Sequence, residues 1–275
     1  MAHIVVIVHL HDEFQGEDYL LHHLIDHWMR GGHRITVARG LSEWPAADIA
    51  ILHVDLTVVP QAYAQAAKKY PVVVNGAALD IRKRHVSRNI LRPGADWHGP
   101  VILKTDLNCR GVREARLLKI VEGQGAVADE SLAGTVWLQG QYPILESPHA
   151  VRSETWNNPG VVVEKFLPER DERGYWTRVW AFFGDRERCT RYLAHGPIVK
   201  SKSMIAAEPA SVPPELRRER ERLGFDYGKF DFVIHGGEPV LLDANRTPWA
   251  PPRNAVNDAS NANLARGLDA LLRQA

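Results

Sequence analysis

Gly228-Lys-Phe-Asp-Phe-Val-Ile-His-Gly-Gly-Glu-Pro-Val-Leu-Leu-Asp-Ala-Asn-Arg-Thr-Pro248 decides how the rest of this chain is read. Two apolar runs flank a turn-rich stretch from His235 to Pro239, which predicts a hairpin with a five-residue loop. Pairing Ile234 with Val240 without a bulge places Asp231 directly opposite Asp243. Side chains alternate along a strand, so Asn245 shares the face of both acids. Like charges opposed on a sheet face are destabilising. A divalent cation removes that repulsion, and two carboxylates with an amide oxygen are the hard donors that suit Mg²⁺ shared with phosphate oxygens. The plainer reading is two exposed acids near a strand end, with Asn245 capping a turn. Acids are uncommon on apolar strands, which favours the cation.

Upstream, the first part of the chain alternates between two periodicities. His3 to Val8 is a continuous apolar run, as in a central parallel strand covered on both faces. Glu17 to Arg30 has helical spacing, with Leu20, Leu21, Leu24, Ile25, Trp28 and Met29 on one side and Gly31-Gly32 ending it. Arg34 to Ala38 and Ile49 to Val54 read as strands. Pro60 opens a helix through Lys69, and Val72 to Val74 is a further strand. This alternation predicts a small parallel α/β domain over residues 1–80.

The character changes after Asn75-Gly76. Pro100-Val-Ile-Leu-Lys104 and Val161-Val-Val-Glu-Lys165 are short apolar strands ending in charge. Trp176 to Phe183 and Arg188 to Leu193 read as a long antiparallel pair around Gly184-Asp185. Pro213 to Leu223 is a charged helix, and Asn261 to Leu272 an amphipathic one that closes the chain. The second part is therefore α+β with an antiparallel sheet, divided as residues 81–160 and 161–275.

Bulk properties narrow the function classes. A length of 275 residues buries a sizeable core, and 45% hydrophobic with 24% charged residues is a globular composition. Lys plus Arg total 34 against 33 acids, so nothing electrostatic calls for nucleic acid or an anionic membrane. The two cysteines, Cys109 and Cys189, form no framework, which fits a reducing cytoplasm. The opening MAHIVVIVHLHDEF lacks a basic n-region and a cleavage site, and reads as a buried strand in a soluble protein.

The segment LGFDYGKFDFVIHGGEPVLLDANRTP, residues 223–248, resembles the C-terminal signature of the ATP-grasp superfamily, in which an acid on one strand precedes an acid-x-Asn on the next. The branch it resembles is that of carboxylate–amine ligases such as glutamate ligases and ribosomal-protein-modifying enzymes. The resemblance runs in order over residues 80–275. It implies an ATP-grasp fold preceded by a Rossmann-like domain, with a phosphate-covering loop in residues 81–160 and a metal site in residues 161–275. Lys104 then corresponds to the lysine that contacts nucleotide phosphates. Lys165, Phe166 and Leu167 correspond to the hinge at the adenine edge, with Glu164 for the adenine amino group and Glu169 for the ribose. Arg178 is the arginine directed at substrate and phosphates, and Asp231, Asp243 and Asn245 hold Mg²⁺. Two departures stand out: Asp243 replaces the usual Glu, and the loop Thr105 to Gly111 has one glycine, so Arg110 is expected to supply charge there.

The implied activity uses ATP and Mg²⁺ to convert a carboxylate into an acyl phosphate for attack by an amine or similar nucleophile. The carboxylate and amine are small molecules or peptides. Two alternatives remain open: a kinase-like reaction that releases the phosphorylated product, and a regulator that binds ATP without turnover. His9-Leu-His11 follows the first strand, and without a third ligand it marks a ligand crevice sooner than a metal site. His23 and His27 are expected on the solvated side of their helix. Lys200 or Lys202 is a weaker candidate for added positive charge, and the pair reads more readily as a solvated loop. Arg246 and Arg253 flank a turn where a substrate carboxylate could bind, or have an ordinary surface role. Trp137, Trp156 and Trp249 line a pocket or belong to the core.

Overall fold

The computed structural model describes residues 1–123, 142–250 and 253–274; Trp137 lies outside them. The apolar run His3–Val8 forms β1, buried along its whole length at the inside of a four-stranded sheet. Its neighbours are β2 (Arg34–Arg39), β3 (Ile49–Leu52) and β4 (Val73–Val74), all parallel, in the order β2-β1-β3-β4. Helices α1 (Leu20–Arg30) and α2 (Gln61–Ala67) connect them. α1 begins at Leu20 and not at Glu17, because Tyr19 is extended and bridged to Trp249 and the Leu20 N–H bonds the Pro248 carbonyl.

The next elements are α3 (Lys83–Val86), β5 (Val101–Thr105), α4 (Val112–Gly123), β6 (Ile144–Leu145), α5 (Ser153–Trp156) and β7 (Val161–Lys165). β5 is the middle strand of a three-stranded antiparallel sheet, β6-β5-β7. Leu91, Val101, Leu103, Val151 and Val163 form its core, against which Trp156 packs.

A six-stranded antiparallel sheet follows: β8 (Glu169–Asp171), β9 (Gly174–Phe183), β10 (Arg186–Ala194), β11 (Ala206–Pro209), β12 (Tyr227–His235) and β13 (Glu238–Asn245). The charged helix α6 (Pro214–Arg222) contributes one buried residue, Leu216. Leu216 packs with Trp180, Phe182, Phe230 and Phe232 on one face of the sheet. The opposite face supplies Ala181 and Phe183 to the core that β1 and α1 share.

The hairpin differs from its expected form in a way that preserves the key register. Its turn is the two-residue pair Gly236-Gly237, with φ of +59° and +89°, the left-handed values such a turn requires. Ile234 therefore faces Pro239 and not Val240. A bulge between Asp231 and Phe232 leaves Leu242 without a partner in the ladder and brings Asp231 back opposite Asp243. The expected loop and the omitted bulge each shift the pairing by one residue, and they cancel.

The closing segment is also broken. It forms α7 (Ala255–Ala265) and α8 (Leu268–Leu272), with Gly267 between them so close to the Phe183 carbonyl that no Cβ fits. α7 lies on α1, where Asn261 pairs with the His23 ring at 2.7 Å. His23 is therefore buried and not solvated, because a second helix covers the side that looked polar in isolation.

Asn75 and Arg246 are among the residues that join the parallel sheet to the rest. Asn75 has no exposed surface and a left-handed φ of +62°. Its amide donates to the Tyr227 carbonyl, and its oxygen accepts from the N–H groups of Asp226 and Tyr227. Arg246 is 1% exposed and donates to the carbonyls of Ala78 and Leu56. Arg246 is thus an internal clamp and not a surface residue. Arg253 remains outside, paired with Asp26. No helix among the described residues is long and apolar enough to cross a membrane.

Candidate active site

A cavity of about 470 Å³ is lined by both antiparallel sheets. Ile102 and Lys104 of β5 and the segment Lys165 to Leu167 at the end of β7 form one side. Thr177 and Val179 of β9 and Lys229, Asp231 and Val233 of β12 form the other. The bulge explains why two successive residues, Leu242 and Asp243, both face it, while Leu241 and Ala244 go to the core behind.

Several residues singled out from sequence meet here. Lys104 reaches the cavity from a buried strand end and is held at 2.7 Å by Glu164, which is 2% exposed. Ile102 faces Glu164 in the ladder, so Lys104 and Glu164 are diagonal neighbours on one face. Lys104 engages Glu164 Oε2, while Glu164 Oε1 is buried with no hydrogen-bond partner among the described residues. The hinge backbone is fixed by the Lys165 N–H bonding the Asn89 carbonyl and the Phe166 N–H bonding the Pro100 carbonyl, both at 2.9 Å. The Lys165 ammonium sits 4.8 Å from the Trp97 ring centre, a cation–π contact.

Arg178 and Glu169 are not brought to the cavity. Arg178 lies between Thr177 and Val179, so alternation points it to the far face. There its guanidinium grips Glu169 through both nitrogen positions, at 2.7 and 2.9 Å. Glu169 also accepts from the Ile234 N–H at 2.7 Å, which locks β8 against β12. Arg110 stands in a tight loop before α4 in which Cys109, Arg110 and Gly111 have φ of +46°, +60° and +68°. Two non-glycine residues thus adopt the left-handed conformation in succession, a strained arrangement that one glycine in the sequence did not announce.

The carboxylates carry lysine partners that hairpin register alone could not identify. Asp243 Oδ1 accepts from Lys83 Nζ at 2.5 Å, and Asp231 Oδ2 accepts from Lys229 Nζ at 2.9 Å. Lys229 was legible by alternation, two residues before Asp231 on the same strand. Lys83 was not, since α3 approaches from elsewhere in the chain. Burial pulls the Lys83 ammonium pKa down, but the adjacent Asp243 outweighs it and the net direction is up. For Asp231, burial raises the carboxyl pKa, and Lys229 only partly offsets this.

Asp231 and Asp243 fit a divalent cation in one respect that the structure tests. Asp231 Oδ1 is buried with no hydrogen-bond partner among the described residues, opposite Asp243. Asn245 fits less well, because its Oδ1 already accepts from the Thr247 N–H at 2.9 Å. No group of three His, Cys, Asp or Glu side chains able to hold a metal occurs among the described residues. A cation there would complete its shell with phosphate oxygens or water, as Mg²⁺ commonly does.

Comparison with known proteins adds the fold. No protein-family model and no curated protein matches the sequence. Among solved structures, the chain is similar to a D-alanine–D-alanine ligase from Bacillus anthracis, with a TM-score of 0.51 at 12% identity over 100% of this chain and 97% of the other. It is similar to a RimK domain ATP-grasp protein from Sphaerobacter thermophilus, with a TM-score of 0.51 at 15% identity over 97% of this chain and 99% of the other. D-cycloserine synthetase DcsG gives a TM-score of 0.50 at 14% identity over 99% of this chain and 100% of that one. These likenesses extend over the full chain, and the fold is ATP-grasp.

Proposed function

We propose that this ATP-grasp chain uses Mg²⁺ and ATP to convert a carboxylate into an acyl phosphate, which an amine or similar nucleophile then captures. The observation that carries this reading is the convergence of Lys83, Lys104 and Lys229 with Asp231 and Asp243 on one cavity bounded by the hinge residues Lys165 to Leu167. Phosphoryl transfer demands positioning and neutralisation of negative charge more than covalent help from the protein. Three ammonium groups on rigid elements meet that demand. The hinge offers backbone at the adenine edge, and Lys104, steadied by Glu164, faces the phosphates. Arg110 lies in the loop expected to cover them. Mg²⁺ on Asp231 and Asp243 supplies further charge neutralisation when bound, with Asn245 as a third donor if it leaves Thr247. Arg178 and Glu169 support the site from behind by bracing β9 against β8.

Two of the structural neighbours are by name a ligase and a synthetase, which favours bond formation over release of a phosphorylated product. Small-molecule or peptide carboxylates and amines are the proposed substrates. The cysteines Cys109 and Cys189 are both free, in keeping with a cytoplasmic setting. The test is phosphate release from Mg²⁺-ATP with paired carboxylates and amines, with mass spectrometry of the product. An amide with free phosphate supports the ligase, whereas a stable phosphorylated product identifies a kinase-like reaction. Turnover unchanged in Asp231→Asn and Asp243→Asn removes the metal assignment.

A further inference from the structure

Three consecutive residues after β3, Asp55-Leu56-Thr57, are each bonded to a part of the chain that serves the nucleotide cavity. The Asp55 carboxylate accepts from the Thr247 hydroxyl, and the Thr247 N–H bonds Asn245 Oδ1 at the end of the carboxylate hairpin. The Leu56 carbonyl accepts from Arg246. The Thr57 hydroxyl accepts from the Asn108 N–H at 2.9 Å, inside the loop that joins β5 to α4. Thr57 also donates its own N–H to Glu114 Oε1 at 2.7 Å, and Glu114 stands in the first turn of α4.

Thr57, Asn108 and Glu114 are all buried. Water cannot easily replace a bond lost among them, so an N–H left unpaired there carries its desolvation cost. Between Asn108 and Glu114 lie Cys109 and Arg110, the two non-glycine residues with left-handed φ. Such a conformation persists only where the surrounding structure enforces it. Thr57 enforces it from both sides. Its hydroxyl holds the residue just before the strained pair, and its N–H holds Glu114 just beyond it. The start of the loop has a separate fastening, where Asp106 accepts from the N–H groups of Lys83 and Arg84 at 2.8 and 2.9 Å.

We propose that Thr57 is a positioning residue for the nucleotide phosphates, holding the Cys109-Arg110 turn in the conformation that covers them. The proposal rests on the nucleotide reading above. Thr57 does not itself line the nucleotide cavity, so it acts through Asn108. The role belongs to the hydroxyl oxygen: serine supplies an equivalent acceptor, whereas valine keeps the shape and leaves the Asn108 N–H unpaired. Through Leu56 and Arg246, the same segment sets the loop against the end of the carboxylate hairpin. Phosphate cover and metal carboxylates are thereby held to one support.

Calorimetric titration of the full chain with Mg²⁺-ATP and with adenosine tests this in the parent, Thr57→Val and Thr57→Ser. Thr57→Val is expected to bind Mg²⁺-ATP about tenfold more weakly while its affinity for adenosine changes less than about twofold. Thr57→Ser is expected to recover Mg²⁺-ATP affinity to within about twofold of the parent. Thr57→Ala, which also lacks the hydroxyl, takes the place of a valine variant that does not fold. An undiminished Mg²⁺-ATP affinity, an equal loss for adenosine, or a serine variant as weak as valine overturns the assignment and leaves the nucleotide reading standing. Failure of both valine and alanine variants to fold makes Thr57 a residue of the core and overturns it too. If the parent itself does not bind Mg²⁺-ATP, the nucleotide reading falls first, and the positioning role falls with it.

Discussion

Lys83 Nζ lies 2.5 Å from Asp243 Oδ1, joining residues 160 positions apart and fastening the short helix α3 to the end of the carboxylate hairpin. The lysine side chain is 3% exposed and its partner 29%, so the pair is anchored inside and reachable from the cavity.

Lys83→Met is expected to unfold at lower temperature, because Asp243 loses its counter-charge. A half-buried pair of this kind is worth about 2–3 kcal/mol on breaking, equivalent to roughly 5–10 °C for a chain of this size. If Lys83 also gathers phosphate charge, KM for ATP rises by about tenfold or more. A thermal melt and an ATP titration read the two effects separately. An unchanged melt shows the pair to be inert.

Glu164→Gln tests whether Lys104 depends on its buried partner. The variant keeps an acceptor at nearly the same place but leaves the ammonium without a counter-charge in a desolvated setting. ATP binding is expected to weaken by about tenfold through misplacement of Lys104, with little change in affinity for adenosine alone. Equal losses for ATP and adenosine place Glu164 at the hinge instead.

Asp12→Asn is expected to stabilise the protein at neutral pH. The folded-state pKa of about 6 exceeds the ordinary 3.8, so between these values the native state holds a proton that the unfolded chain has lost. The ionised Asp12 therefore opposes folding above about pH 6, by up to about 3 kcal/mol. Replacing it removes that penalty at pH 7.5, and the gain shrinks towards zero as pH falls to 3.8. Urea midpoints of both proteins across this range check the sign. A variant less stable than the parent at pH 7.5 contradicts the strained-acid account.

Gly267→Ala is expected to destabilise strongly, since the new methyl meets the Phe183 carbonyl, and the adjacent Gly184 is pressed in turn against the Gly267 carbonyl. Overpacking against backbone costs about 1–3 kcal/mol or more. A melt shifted by less than about 2 °C would falsify the close approach.

Much of the hairpin chemistry was legible because strand alternation is strictly local. Asp231, Asp243 and Lys229 share a face for that reason, and the left-handed demand of the turn is met by two adjacent glycines. The route to the register was nevertheless wrong. The bulge at Leu242 leaves no mark in residue type, and only the pairing with β12 reveals it. Arg178 shows the limit of resemblance, since its place in the order of segments matched while alternation turned it away from the cavity.

The sequence by itself determined the alternating α/β opening, the antiparallel second part and the acids placed opposite each other on one hairpin. Those features follow from periodicity within a few residues. Tertiary structure alone decided that Lys83 answers Asp243, that Glu164 answers Lys104, that Arg246 and His23 are buried, and that Asp12 Oδ2 is buried with no partner among the described residues. Each of these depends on contacts between distant segments, where desolvation and charge pairing are set by what the folded chain brings near and not by neighbours in sequence.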